Sequence, residues 1–269
     1  MRTLPVIAAC AVAGVFALEA QSLTDRTIAV AGTSIHLRCG GTRAMGPMVI
    51  LEAGAGGGAD SWLTVHDSIA GLVRVCSYDR PDTKGSGPTP KGMTAAQYPA
   101  FVLAMLREAG EAPPYVMVGH SFGGLIVSLV AATFPAEVRG LVLVDSSHED
   151  QMARMAAVTG PPPPPPATPP PGAAPPPPAG LRFPDFADAV RAARFRSDLP
   201  LVVLTAARPL PDPDWTKIAP LWLELQRELA SRSSKSSHVV LDNSGHFIQR
   251  DAPGAVVDAI RKVVLEARR

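Results

Sequence analysis

The stretch Val-Met-Val-Gly-His-Ser-Phe-Gly-Gly-Leu, residues 116–125, decides how the rest of the chain is read. An apolar run over 115–118 breaks into Gly119-His120-Ser121-Phe122-Gly123, and a second apolar run follows over 125–134. The first has the length of a buried strand and the second that of a helix, so the pattern Gly-x-Ser-x-Gly falls at a strand-to-helix turn. A turn that tight leaves no room for side chains on either side of the serine, which is why glycines stand there. It lifts the hydroxyl above the sheet, and the new helix aims its N-terminus at the same spot, where negative charge is favoured. Ser121 is therefore a candidate nucleophile. The plainer role for a serine here is a helix cap.

A serine hydroxyl is a poor nucleophile without a base. His246 is the best placed histidine. It follows an apolar run over 238–241, within Asn243-Ser244-Gly245-His246-Phe247, and lies late in the chain, after the serine. His36 falls in an early strand and His66 in an early helix, while His120 should turn into the packing. His148, just beyond the strand at 141–144, is the rival base, and it and Gly54 are candidates to line a pocket. Two carboxylates compete to orient the imidazole. Asp145 is anchored at the end of the strand after the nucleophile helix. Asp212 lies in the loop after the strand at 201–205, the usual place for such an acid, but among prolines and with Asp214 close behind. Anchoring favours Asp145, with Asp212 as the alternative. An oxyanion needs two backbone donors: the Phe122 amide, and the Ala55 amide in the glycine-rich loop 54–58. That loop has neither the spacing nor the lysine of a phosphate-binding loop.

Outward from this centre, strands and helices alternate. Residues 27–31 and 34–38 read as a hairpin joined at Gly32-Thr33, with further strands at 48–51, 72–78, 115–118, 141–144, 201–205 and 238–241. Helical patterns cover 62–69, 94–110, 125–134, 185–195, 221–229 and 255–265. The inner strands are apolar at every position, as a parallel sheet covered on both faces requires. The fold class is α/β, a mostly parallel central sheet flanked by helices. Residues 159–180, with six consecutive prolines from Pro161, can form neither a helix nor an interior strand. They read as a stiff surface insertion of polyproline II or disordered character.

The chain has 269 residues, 46% of them hydrophobic, which is enough for one core. A net charge of +1 and an aromatic content of 5% argue against a nucleic-acid surface. Arg2 followed by the apolar run 4–18 and Glu19-Ala20 has the form of an export signal. The expected organisation is a signal over 1–20 and one domain over 21–269, carrying the proline-rich cap 150–198. The expected location is the periplasm or the outside of the cell, the alternative being an N-terminal membrane anchor. Any membrane contact would come only through that first segment, uncleaved. Cys10 would leave with the signal. Cys39 and Cys76 each end a strand, which in an oxidising compartment suggests one disulfide, with two buried thiols as the alternative. Neither a metal nor a cofactor is implied.

These motifs together resemble the α/β-hydrolase fold family over residues 27–265, most closely its exported bacterial members. The resemblance rests on Leu51-Glu52-Ala53-Gly54-Ala55-Gly56, on Val75-Cys76-Ser77-Tyr78-Asp79-Arg80, on residues 119–124, on residues 143–149 and on Ser244-Gly245-His246-Phe247-Ile248. It implies that Ser121 and His246 belong to a catalytic triad and that the strands carrying Cys39 and Cys76 are neighbours. It implies a serine hydrolase acting on small carboxylic esters through an acyl-enzyme. Lactones, small amides and an idle binding scaffold are the alternatives. Two stretches depart from the pattern. Pro81-Asp82-Thr83-Lys84-Gly85-Ser86 stands where the family has an Ala-Gly-x-Gly-x-Ser run, and proline fills much of the usual lid. The pocket rim should therefore differ and the lid be reduced.

Overall fold

The computed structural model describes residues 23–43, 46–161, 180–209 and 213–268. The signal-like segment, most of the proline run and Asp212 lie outside the described residues.

Among the described residues eight strands form one sheet: β1 (Thr24–Val30), β2 (Thr33–Gly40), β3 (Met48–Glu52), β4 (Val75–Tyr78), β5 (Tyr115–His120), β6 (Val138–Val144), β7 (Leu201–Ala206) and β8 (Ser236–Leu241). Their order is β1-β2-β4-β3-β5-β6-β7-β8. The first three in that order pair antiparallel and the rest are parallel. The β1–β2 hairpin turns at Ala31 and Gly32, both with positive φ (48° and 81°), one residue earlier than the sequence pattern suggests. That geometry matches the twist of the two strands.

The inner strands are apolar throughout because the side-chain period of two feeds two cores. Met48, Ile50, Tyr115, Met117, Leu141, Leu143, Leu201 and Val203 face one cluster, with residues of α2 (Tyr98–Glu108), α3 (Phe122–Thr133) and α5 (Phe183–Ala192). Val49, Leu51, Val116, Val118, Val142, Val144, Val202 and Leu204 face the other, with residues of α1 (Leu63–Ala70) and α8 (Pro253–Ala267). Burying both faces in this way is what makes the register strict.

Two helices differ from the sequence expectation. A helix α4 (Gln151–Thr159) follows β6 where none was foreseen, because it buries no residue fully and so carries little apolar signal. The helix before β8, α6 (Trp215–Ser231), begins six residues before the pattern at 221 and contains Pro220. Pro220 removes the donor that would meet the Thr216 carbonyl, but both residues lie on the exposed side, where water can replace it. A short helix α7 (Ile248–Asp251) joins the His246 loop to α8. Among the described residues no helix is long and apolar enough to cross a membrane.

Candidate active site

Ser121 stands between β5 and α3 with φ 52° and ψ −124°, a strained backbone that only a tightly packed turn holds. The glycines around it are required by contact. A Cβ on Gly119 would lie 2.5 Å from the Gly123 carbonyl oxygen, and one on Gly123 would lie 2.5 Å from the Ala53 oxygen. A Cβ on Gly124 would come within 1.9 Å of Ser146 Oγ. Phe122 is the first residue of α3, so its amide is among those with no partner inside the helix.

Asp145 directly follows β6, whose Val144 pairs with His120 across the ladder, so Asp145 and Ser121 emerge side by side at the same edge of the sheet. Asp145 also has positive φ, 42°, and its side chain is buried. Its Oδ2 lies 2.6 Å from His246 Nδ1, while its Oδ1 accepts the Ala206 amide at 3.0 Å and the Trp222 indole N–H at 2.8 Å. The carboxylate is thus fully satisfied and aimed at the imidazole, whose side chain remains 36% exposed. Of the two candidate acids, Asp145 is the one seen to contact His246. Asp214 ion-pairs with Lys217 at 2.6 Å at the start of α6.

His120 does turn into the packing, and there it makes a specific bond. Its Nε2 donates to the backbone carbonyl of His246 at 2.8 Å, and the two rings lie 4.7 Å apart between centroids. The residue before Ser121 therefore ties the His246 loop to the elbow. A carbonyl only accepts, so the His120 proton sits on Nε2. Burial, and next the charge of His246, hold His120 down to about 4.

The glycine-rich loop is clamped from behind. Gly54 is buried, and a Cβ on it would lie 2.8 Å from His120 Nδ1 and 3.3 Å from Ser121 Cβ, so only glycine lets this backbone reach the elbow. Ala55, next to it, is exposed. The Arg80 guanidinium donates to the Ala53 and Gly54 carbonyls and to Glu52 Oε1, and Tyr78 O–H closes on Glu52 Oε2. Burial raises the Glu52 carboxyl, while the Glu52 charge holds Arg80 firmly protonated against its own desolvation. Asp79 serves the altered rim: it receives the Ala59 and Gly85 amides at 2.8 and 3.1 Å. The Pro81–Ser86 departure is thus accommodated with positive φ at Asp82 and Lys84.

His148 is buried 3% exposed, its Nδ1 accepting the Asp150 amide at 3.1 Å and its Nε2 3.4 Å from Glu228 Oε2. Its ring engages α4 and α6 rather than Asp145. Cys39 and Cys76 are direct partners across β2 and β4 and form a disulfide. A cavity of about 190 Å³ opens against the Asp145–His246 pair, walled by Met155, Ala206, Arg208, Trp215, Ile218 and Trp222.

A strained serine stands at the strand-to-helix turn after β5, and a carboxylate at the end of β6 holds an imidazole. The model of the "Alpha/beta hydrolase family" matches residues 49–259. The chain belongs to the alpha/beta hydrolase family. It is 25% identical over 245 residues to the uncharacterised protein YqjL of Bacillus subtilis, covering 89% of this chain and 91% of that one. It is 35% identical over 100 residues to a Klebsiella pneumoniae protein named "Putative carbamate hydrolase RutD", covering 37% of each. Among solved structures, a meta-cleavage product hydrolase from Pseudomonas fluorescens aligns with a TM-score of 0.64 at 16% identity, over 90% of this chain and 98% of that one. A thermophilic esterase from Thermogutta terrifontis aligns with a TM-score of 0.62 at 18% identity, over 91% of this chain and 100% of that one. At these identities the two structures share the fold. The family is one of hydrolases.

Three contributors escaped the sequence reading: the Trp222 bond to Asp145, the Arg80 clamp and the His120 tie. Only Trp222 had a legible signal, since Trp215, Ile218 and Trp222 recur at three- and four-residue steps on one helix face.

Proposed function

We propose that this chain is a serine hydrolase that cleaves small carboxylic esters through an acyl-enzyme. Ser121 is the nucleophile, His246 the base and Asp145 the acid that orients it. The observation that carries this reading is the 2.6 Å bond from Asp145 Oδ2 to His246 Nδ1, in a loop that His120 ties to the Ser121 turn. Asp145 holds the imidazole with Nε2 free to take the Ser121 proton and stabilises the imidazolium that results. Ser121 Oγ adds to the ester carbonyl, and the Phe122 and Ala55 amides receive the developing oxyanion. His246 then hands its proton to the departing alcohol. Water, deprotonated by the same ring, attacks the acyl-enzyme, and His246 returns that proton to Ser121 Oγ as the acid leaves.

Covalent labelling tests this directly. A fluorophosphonate probe should label the wild-type chain and not Ser121→Ala, and short p-nitrophenyl esters should be turned over only by the former. A wild-type chain that neither labels nor hydrolyses esters, carbamates, lactones or small amides would be an idle scaffold. The disulfide supports a further part of the proposal, that the domain works outside the cytoplasm, since such bonds persist in oxidising compartments. Cell fractionation, with N-terminal sequencing of the mature chain, tests it: a full-length cytoplasmic product rejects export.

A further inference from the structure

We infer that the cavity beside His246 receives the alcohol half of the ester, and that it selects a compact apolar group of about the size of a benzyl ring. The inference rests on the serine-hydrolase reading above. The side on which the leaving group sits follows from the chemistry. His246 must give its proton to the departing oxygen, so that oxygen and what it carries lie on the imidazole side of the carbonyl. The acyl half then lies toward the glycine-rich loop. A cavity beside His246 has His246 and Asp145 among its walls.

Its other walls set the chemistry of the occupant. Trp215, Ile218 and Trp222 come from one face of α6, Met155 from α4 and Ala206 from the end of β7. Two of the polar groups among them are already engaged. The Trp222 N–H is spent on Asp145, and Arg208 ion-pairs with Asp251 Oδ2 at 2.7 Å. The walls therefore offer chiefly dispersion and flat aromatic surface, with the Trp215 indole N–H as a donor among them. Size gives the second limit. An apolar cavity of about 150 Å³ holds benzene, and this one is about 190 Å³. A methyl or ethyl group leaves it largely empty. A naphthyl ring overfills it. Benzyl, phenethyl or a short branched alkyl group fits.

The test keeps the acyl group constant and varies the alcohol, using ethyl, butyl, benzyl and 2-naphthylmethyl acetates followed by pH-stat. These alkoxide leaving groups are similar in basicity, so differences report binding in the transition state. Benzyl acetate should exceed ethyl acetate in kcat/KM by about 10- to 100-fold, as filling an apolar pocket does, and should exceed the naphthylmethyl ester. Ile218→Trp fills the cavity from its wall without touching the catalytic groups. It should lower the ratio of kcat/KM for benzyl acetate over ethyl acetate at least about tenfold. A second readout needs no turnover. Benzyl alcohol should quench tryptophan fluorescence of Ser121→Ala, since two of the three tryptophans line the cavity, and Ile218→Trp should abolish saturable binding. Equal rates for ethyl and benzyl acetate, or an Ile218→Trp effect shared by both, overturn the inference and leave the hydrolase standing. Failure of the wild type on every ester and with the fluorophosphonate overturns the hydrolase reading itself, and this inference with it.

Discussion

His120 offers a quantitative test of how the site is held together. Its ring is 2% exposed, donates from Nε2 to the His246 carbonyl and is held down to about 4 from an ordinary value of 6.5. Burial is the larger cause and the neighbouring His246 charge the next. At 1.36 kcal/mol per pKa unit, this makes the neutral ring better accommodated in the folded chain by about 3 kcal/mol. The sign follows from proton uptake. Above pH 6.5 the ring is neutral in both states, and the full contribution is present. As pH falls from 6.5 to about 4, only the unfolded chain binds the proton, so stability drops across that window. Below it the loss is complete. The perturbation is His120→Gln, whose amide can still donate to the His246 carbonyl but does not titrate. Urea unfolding at a series of pH values should show the wild type losing about 3 kcal/mol more than the variant between pH 7 and pH 4. Because every other titrating group is common to both chains, the difference isolates this ring. Parallel stability curves across that interval would refute the reasoning and mean that His120 is not held neutral by the fold.

Other consequences are equally open to measurement. Asp145→Asn keeps the shape but leaves the wrong tautomer on His246, so kcat should fall about 10⁴-fold while circular dichroism and melting stay close to wild type. Trp222→Phe removes one donor from that carboxylate and should lower kcat about tenfold, the worth of a hydrogen bond to a charged group. Arg80→Met strands the buried Glu52 carboxylate and should cost about 3–5 kcal/mol in urea unfolding, whereas Arg80→Met combined with Glu52→Gln should recover much of it. Replacing Cys39 and Cys76 together by alanine opens a link between residues 37 apart. It should cost about 4 kcal/mol on the chain-entropy account, with added reductant shifting only the wild type toward the variant.

What could be read in the chain alone was whatever depends on neighbours in sequence. The Ser121 turn, the apolar strands around it and the glycine loop follow from short-range sterics and from side-chain periods of two and of three to four. They sufficed for the sheet, the elbow and the place of His246. Elements with weak local signals were missed or shortened: α4 buries almost nothing, and Pro220 hid the first turns of α6.

The acid, by contrast, was left open between Asp145 and Asp212, because proximity to His246 joins residues 101 apart and is invisible to any local pattern. The register of β5 against β6 brings Asp145 level with the elbow, and α6 then lays Trp222 on its second oxygen. The Cys39–Cys76 disulfide was expected from the cysteines left after the signal, and the β2–β4 register sets the two opposite one another; Arg80, whose three acceptors lie 26 to 28 residues back along the chain, was not legible. Local sterics made the serine a strained, outward-facing hydroxyl. Strand register and helix docking, which bring distant segments to hydrogen-bonding range, decided what stands around it.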